Sequence, residues 1–101
     1  MSFSNDVLKL VKRIPQGRVT TYGEIAKALG KPRACRAVGQ ILKKNKDPDR
    51  IPCYRVVRSD GTLGGYSRGI KEKIKRLKRD GIEIANNKID LKKYMHHFNS
   101  N

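Results

Sequence analysis

The strongest constraint on how this chain folds comes from two short amphipathic segments separated by a turn of three residues. The first segment opens at Thr21, whose capping-box pattern with Glu24 predicts a helix start. Gly30 stands where a left-handed residue is expected to end that helix, and Pro32 suits the first position of a second helix, predicted over 33–44. Two short helices joined in this way are typical of a helix-turn-helix, whose second helix contacts a DNA groove.

The second helix has one apolar side and one polar, mostly basic side. Its apolar residues recur at helical spacing and are Ala34, Val38, Ile41 and Leu42. The other side carries Arg33, Arg36, Gln40, Lys43 and Lys44. Gly39 lies inside this helix at a cost of about 1 kcal/mol relative to alanine, and its bare backbone would let another helix or a groove wall approach closely. We interpret the helix as one that reads DNA; two ordinary amphipathic helices with solvated lysines are the alternative.

The chain carries a large excess of positive charge. It has 24 lysines and arginines against 9 aspartates and glutamates, a formal net charge of +15. A chain of 101 residues with this excess attracts polyanions, and nucleic acid is the leading class because basic side chains that meet phosphates release counterions. A lysine-rich genome or an anionic membrane surface would also explain the charge.

Length and composition favour one small domain, spanning residues 1–101, in a reducing compartment. No apolar run approaches the roughly 20 residues that span a bilayer, and no apolar stretch typical of a secretory signal follows Met1. Two cysteines, Cys35 and Cys53, are too few for a disulfide-dense secreted scaffold. We expect a monomer without membrane contact, in the cytoplasm and associated with nucleoid or nuclear DNA.

The remaining patterns predict a mainly α, winged-helix-like domain with a small β-hairpin. A first helix is expected over 5–14, with Ser4 as its cap. A hairpin or wing is expected near 55–63, where a Ser-Asp-Gly sequence signals a turn. A last helix with a strongly basic outer face and with Ile70 among its apolar residues is expected to run to about Arg79, where Gly81 stops it.

One cysteine lies at a position that suits nucleophilic chemistry. Cys53 follows Pro52 and stands two residues before Arg55, at a predicted loop-to-strand junction in a basic protein. Positive surroundings raise the thiolate fraction, and a thiolate is a soft nucleophile suited to attack on an alkyl carbon. A buried cysteine is more often an inert small hydrophobe, so the residues alone leave both roles open.

The segment from Phe3 to Gly81 resembles the C-terminal domain of the O6-alkylguanine-DNA alkyltransferases. The matching pieces stand in the family's order along about four fifths of the chain. They are Thr21–Ala26 in the first helix of the motif, the R-A-V-G signature at Arg36–Gly39, Asn45, Ile51–Val57 (similar to I-P-C-H-R-V-V) and Gly64–Ser67 (similar to G-x-Y-S). Residues 82–101 lie outside the resemblance and are expected to be a basic tail extension.

The resemblance implies DNA repair in one irreversible step, without a cofactor or a metal. Family members bind double-stranded DNA through the minor groove, rotate an O6-alkylated guanine out of the stack and move the alkyl group to a cysteine sulfur, so the protein is consumed. Cys53 would be the alkyl acceptor, and Arg36 would enter the gap left by the extruded base. Tyr22 would crowd the neighbouring phosphate and donate to a ring nitrogen of guanine.

The family pattern also implies roles for further residues. The carbonyls of Cys53 and Val56 would accept from the guanine amino group, and Tyr66 and Ser67 would close over the base. Asn45 would connect the second helix of the motif, here called the recognition helix, to the segment around Cys53, here called the cysteine loop. The expected DNA contacts are Arg33, Arg36, Ala37, Gly39, Gln40, Lys43, Lys44 and Arg68, with further phosphate contacts from 68–79.

The sequence departs from the family at the residues that usually activate the cysteine. Family members have a histidine directly after the cysteine, oriented by a glutamate, and it deprotonates the thiol through a water. Tyr54 and Asp80 occupy the two positions here. A phenol with a reference pKa near ~10 is a poor base at neutral pH, although it can hold a water or donate to a thiolate. Activation would then come from Arg55, other basic residues and a helix N-terminus, with slower transfer or a higher pH optimum.

Other functions stay open at this level. Alkyltransferase-like proteins share the short architecture; they bind alkylated guanine and flag it for excision repair, but they lack the reactive cysteine that Cys53 would supply. A transcription factor would explain the helix-turn-helix but not the proline-cysteine segment. A zinc site from Cys35, Cys53, His96 and His97 lacks the usual ligand spacing, and a Cys35–Cys53 disulfide would occupy the nucleophile.

Overall fold

A computed structural model describes residues 2–98, which form a mainly helical domain with a two-stranded sheet. The elements are α1 (Phe3–Lys12), β1 (Thr20–Thr21), α2 (Tyr22–Ala28), α3 (Cys35–Lys43), a 3-10 turn (Cys53–Arg55), β2 (Val56–Val57), α4 (Ile70–Arg79) and α5 (Leu91–Tyr94). The last three residues of the expected tail extension lie outside this description. Within residues 2–98, none of the helices has the length and apolar character needed to cross a membrane.

The first helix begins two residues earlier than predicted. Ser2, and not Ser4, is its cap, because the Ser2 hydroxyl accepts the Asn5 backbone N–H at 3.1 Å. The earlier start adds Phe3 to the helix, and this ring packs against the apolar core. The helix buries Val7, Leu10 and Val11.

The helix-turn-helix is present, and its first helix begins where the capping box predicts. The Thr21 hydroxyl accepts the Glu24 backbone N–H at 3.0 Å. Gly30 has the left-handed φ of 75° expected just after a helix end. Local signals therefore located both ends of α2.

The second helix of the motif starts later than predicted. It begins at Cys35 and not at Arg33, because residues 31–34 form a turn in which the Ala34 N–H donates to the Lys31 carbonyl at 2.9 Å. Ala34 occupies the cap position and makes no side-chain capping hydrogen bond. The prediction failed because the proline rule marks a permissible helix start and does not exclude a turn.

The β element is a parallel pair and not a hairpin. β2 pairs with β1 in the register that sets Val56 opposite Thr20. The predicted turn is present, but the chain that leaves it at Thr62 pairs with Lys88 in an antiparallel bridge. A partner so distant in sequence leaves no local signal, which explains the wrong hairpin. The mainly α class with a small β element is confirmed.

Two apolar clusters meet at the 3-10 turn. The first lies among α1, α2 and α3 and includes Cys53, whereas the second lies between α4 and residues 82–94 and includes Tyr54. Neighbouring residues enter different clusters because a 3-10 turn rotates successive side chains by about a third of a circle. The turn thus points Cys53 toward the helix-turn-helix and Tyr54 toward α4.

Residues 82–98 pack back onto the domain. Near its end this segment pairs in parallel with Val19 through backbone hydrogen bonds of 2.7 and 3.0 Å. Earlier, the Ile89 N–H donates to the Gly61 carbonyl at 2.9 Å. A Cβ at Gly61 would lie 2.6 Å from the Ile89 carbonyl oxygen, and the φ of Gly61 is 87°, so only glycine fits. The segment therefore holds the 58–62 turn against the domain.

Candidate active site and nucleic-acid interface

A cavity of about 860 Å³ opens between the helix-turn-helix and two loops. Residues of α2 and α3 form one side, and the loops 58–60 and 64–67 contribute the rest together with Cys53. This volume is in the usual range for cavities that hold small molecules, so it has room for a nucleobase with a substituent.

Cys53 lines this cavity although water barely reaches it. The residue is 5% exposed and opens the 3-10 turn, where the sequence predicted a strand start. Its backbone N–H donates to the Ile51 carbonyl at 2.7 Å. The thiol is therefore reachable by a group that enters the cavity while being shielded from bulk solvent.

The ring of Tyr22 lies between α3 and residues 64–67, which we call the glycine-rich loop. A Cβ at Gly39 would meet this ring at 4.0 Å, so the close approach expected at Gly39 is made by a side chain in ordinary contact. A Cβ at Gly64 would lie 2.9 Å from the Tyr22 hydroxyl, and the φ of Gly64 is 71°. Burial is the main cause that raises the pKa of Tyr22, followed by the nearby Cys53. The hydroxyl therefore stays protonated and can donate.

A buried cation that the sequence did not single out lies behind the cavity. Lys73 is fully buried, and its Nζ donates to the Val56 carbonyl at 2.8 Å and to the Gly65 carbonyl at 3.0 Å. Burial lowers the pKa of Lys73 to about 8, with Cys53 opposing this change and Arg58 adding to it. The lysine thus connects β2 with the glycine-rich loop and places a positive charge that interacts with the Cys53 sulfur.

The helical period contained a signal for this burial. Lys73 stands four residues before Leu77, which is buried, so the two share one face of α4. Ile70, which the sequence assigned to the apolar face, is instead 45% exposed. The residue type of Lys73 suggests a surface position, whereas its spacing from Leu77 correctly indicates burial.

Tyr54 and Asp80 meet in a hydrogen-bonded group with Arg55. The Tyr54 hydroxyl donates to Asp80 Oδ2 at 2.7 Å. Arg55 Nε donates to the Tyr54 hydroxyl oxygen and to Asp80 Oδ2, each at 3.1 Å. Arg55 Nη1 also donates to the Ile14 carbonyl at 2.8 Å. Burial and then the bond to Asp80 raise the pKa of Tyr54. The Tyr54 phenol stays protonated and donates its hydrogen bond to the Asp80 carboxylate, so it is not placed to accept the proton of Cys53.

Asn45 connects the end of α3 with the cysteine loop. Its Nδ2 donates to the Ile51 carbonyl at 3.0 Å, and its Oδ1 accepts the Asp47 N–H at 3.0 Å. The side chain is buried, so both hydrogen bonds are protected from water. These contacts couple the position of the cysteine loop to that of the recognition helix.

Tyr66 and Ser67 line the cavity on the glycine-rich loop. The Tyr66 ring packs edge-on against Tyr54, with ring centroids 6.5 Å apart. Its hydroxyl is buried and has no hydrogen-bond partner among residues 2–98. Burial is the main cause that raises the pKa of Tyr66. The hydroxyl is therefore protonated, and its hydrogen-bonding capacity is unused within residues 2–98.

The residues expected to contact DNA divide into groups. Those of α3 that line the cavity are Arg36, Gly39 and Lys43. Those outside it are Arg33, Ala37, Gln40 and Lys44, the last two beside a second hollow of about 470 Å³. Arg68 is exposed and pairs with Asp49 at 3.3 Å. The cavity wall also holds Arg58, which the sequence did not single out.

Both cysteines are free thiols that line the same cavity, Cys35 exposed and Cys53 buried. In the described part of the chain, no group of three or more His, Cys, Asp or Glu side chains could hold a metal ion. His97 contacts the Glu24 carboxylate at 3.3 Å, and His96 packs edge-on against a phenylalanine.

A helix-turn-helix whose second helix borders a cavity with a shielded thiol defines a DNA-binding domain built around a candidate nucleophile. The family described as the DNA-binding domain of 6-O-methylguanine DNA methyltransferase matches residues 2–82. The chain belongs to this family, which confirms the resemblance inferred from the motifs.

Several relatives show the same relationship. The chain is 60% identical over 85 residues to a bifunctional methyltransferase/endonuclease of Picrophilus torridus, covering 84% of this chain and 28% of that protein. It is 37% identical over 94 residues to the DNA base-flipping protein of Escherichia coli, covering 92% of this chain and 73% of that protein. The crystal structure of S. pombe Atl1 with damaged DNA containing O6-carboxymethylguanine is similar over 95% of both chains, with 35% identity and a TM-score of 0.84. The chain thus spans about a quarter of the length of the bifunctional relatives.

Proposed function

We propose that this chain repairs O6-alkylguanine in double-stranded DNA by moving the alkyl group to Cys53. The observation that carries the proposal is a shielded Cys53 thiol in a cavity whose other side is the recognition helix. The methyltransferase name of the Picrophilus torridus relative supports the chemistry, and the damaged DNA bound to Atl1 supports the partner.

The Cys53 thiolate would attack the alkyl carbon from the side opposite O6. An S–C bond forms while the O6–C bond breaks, and the electron pair of that bond stays on O6. The guanine anion that results takes up one proton at a ring nitrogen, which balances the proton that the thiol has lost. Lys73 and Cys53 interact electrostatically, and the positive charge of Lys73 would stabilise negative charge on the attacking sulfur, because charges interact strongly where water is excluded. Lys73 therefore replaces the missing histidine as the source of activation.

Entry of the base requires that the duplex give it up. Unstacking and unpairing cost roughly a few kcal/mol, less for a poorly paired lesion. Arg36 is exposed beside the cavity and would fill the gap that the extruded base leaves in the stack. The protonated Tyr22 hydroxyl would donate to a ring nitrogen as negative charge develops on the leaving guanine.

The base would be held mainly by backbone groups and by the glycine-rich loop. The Cys53 carbonyl would accept from the guanine amino group. The Val56 carbonyl, which was expected to share this role, accepts from Lys73 and belongs to a fully buried residue outside the cavity lining. Tyr66 and Ser67, which line the cavity, would close over the base. Asn45 would keep this pocket in register with the recognition helix.

Loss of the methyl group from DNA tests this proposal. A duplex with one O6-methylguanine is incubated with increasing amounts of protein, and the remaining lesion is measured by nucleoside chromatography. We expect one lesion lost per protein molecule and no turnover beyond that. Cys53→Ala should bind the duplex and leave the lesion intact, with Cys35→Ala as the matched control that retains transfer.

Lesion binding without transfer is the second candidate function. Two observations favour it: the Tyr54 hydroxyl is committed to Asp80, and Atl1 matches this chain over nearly its whole length. Tighter binding to the damaged duplex with no loss of lesion would support this function. Equal affinity for damaged and undamaged duplex would contradict both candidates.

A further inference from the structure

Three cations line the cavity without an ion pair in the described part of the chain, Arg36, Lys43 and Arg58, and Arg58 is the one that lies outside α3. Arg58 directly follows β2, is exposed and lines the cavity. Within residues 2–98 its guanidinium makes no ion pair, unlike the arginines at 55, 68 and 76. Its backbone is fixed, because the Arg58 N–H donates to the Thr62 carbonyl and the Gly61 N–H donates to the Arg58 carbonyl, both at 2.9 Å. The closed turn thus fixes the backbone that carries this side chain, and the guanidinium stays open to a ligand.

The carboxylate of the same wall is occupied elsewhere. Asp60 Oδ1 accepts the Thr62 N–H at 3.0 Å and the Thr62 hydroxyl at 2.6 Å. These two hydrogen bonds are the main causes that lower the pKa of Asp60. Asp60 therefore stabilises the 58–62 turn and makes no ion pair with Arg58.

The charge of the guanidinium also acts on the groups around the sulfur. The charge of Arg58 lowers the pKa of both Tyr22 and Lys73, and each of these groups interacts in turn with Cys53. Arg58 thus shares one electrostatic environment with the atom that would meet the O6 substituent.

We propose that Arg58 makes this cavity select O6-alkylguanines whose alkyl group ends in a carboxylate. The proposal rests on the function proposed above and names its substrate class. A carboxylate accepts two parallel hydrogen bonds from a guanidinium, whereas a neutral amide of the same size gains no ion pair. The bond changes at sulfur and O6 are those already given, and the carboxylate is carried to Cys53 unchanged.

Three duplexes of one sequence test the proposal; they carry O6-methylguanine, O6-carboxymethylguanine or its neutral amide, O6-carbamoylmethylguanine. The readout is the ratio of second-order rate constants for the carboxymethyl and carbamoylmethyl duplexes. We expect a ratio above one that falls about tenfold in Arg58→Gln and is largely kept in Arg58→Lys. Arg50→Gln, which removes the same charge from an exposed site outside the cavity, should leave the ratio unchanged.

An unchanged ratio in Arg58→Gln would overturn the proposal. An equal loss for all three duplexes would show that Arg58 contacts DNA phosphate, and would overturn it as well. If no duplex loses its alkyl group, the proposed transfer fails, and the same ratio is then taken from dissociation constants. A binding ratio that favours the carboxylate and collapses in Arg58→Gln would still support the role of Arg58.

Discussion

Among single residues, Lys73 has the clearest energetic consequence. Its pKa falls from 10.5 to about 8 because the ammonium is buried. A displacement of this size corresponds to about 3 kcal/mol that opposes folding while the lysine is charged. The hydrogen bonds to Val56 and Gly65 offset part of that cost.

Stability should therefore increase with pH in a defined window. Below pH 8, Lys73 is charged in the folded and unfolded chains and the full penalty applies. Between about pH 8 and 10 the folded chain has released a proton that the unfolded chain still holds, so the free energy of unfolding rises with pH. Urea unfolding of the natural chain and of Lys73→Met across this range isolates the effect. Parallel curves for the two proteins would contradict it.

Removal of the same charge should also slow the chemistry. We expect Lys73→Met to slow methyl transfer about tenfold at pH 7, since a cation that favours the thiolate is lost in a low-dielectric site. The rate at which iodoacetamide alkylates Cys53, measured as a profile across pH, should fall as well. Lys75→Met, an exposed change on the same helix, is the control. A profile identical to that of Lys75→Met would refute the role of Lys73.

At the level of loops and helices, two adjacent glycines offer a matched comparison. Gly64→Ala places a Cβ 2.9 Å from the Tyr22 hydroxyl at a φ of 71°. We expect a loss of about 1–2 kcal/mol of stability from the backbone alone, together with weaker lesion binding as Tyr22 shifts. Gly65→Ala meets nothing within 4 Å and should be nearly neutral. Similar denaturation midpoints for the two variants would show that Gly64 is not required.

The elements that were predicted well are those determined by local contacts. The Thr21 cap, the left-handed Gly30 and the end of α4 each depend on residues within one helical turn. The parallel pairing of β1 with β2 depends on segments far apart in sequence, so the Ser-Asp-Gly turn suggested a hairpin instead. Short-range rules fail wherever the partner of a segment is set by tertiary packing.

The candidate site was predictable where a motif specified it. The family pattern pointed to Cys53, Tyr22 and Tyr66, which line one cavity. It gave no indication of Lys73 or Arg58, because the roles of these two cations depend on burial and on unpaired charge, which residue type does not reveal. The sequence was therefore sufficient to locate the motif residues, whereas the charges that surround Cys53 could be identified only from the folded structure.

For the molecule as a whole, the net charge of +15 should dominate its affinity for DNA. The logarithm of the binding constant for undamaged duplex should fall linearly with the logarithm of salt concentration. Lys43→Gln, on the cavity side of α3, should reduce that slope by about 1, because one phosphate contact is lost. Lys92→Gln, on α5, carries the same charge change and should leave the slope unaltered. Equal salt-dependence slopes for the two variants would contradict a phosphate contact by α3.

The most direct test of alkyl transfer is the mass of the protein after it has met its lesion. The chain is incubated with an O6-methylguanine duplex, its intact mass is measured, and fragmentation locates any added group. Gain of one methyl group on Cys53, and none on the exposed Cys35, is the expected result. An unchanged mass under conditions in which the damaged duplex is bound would contradict the transfer chemistry.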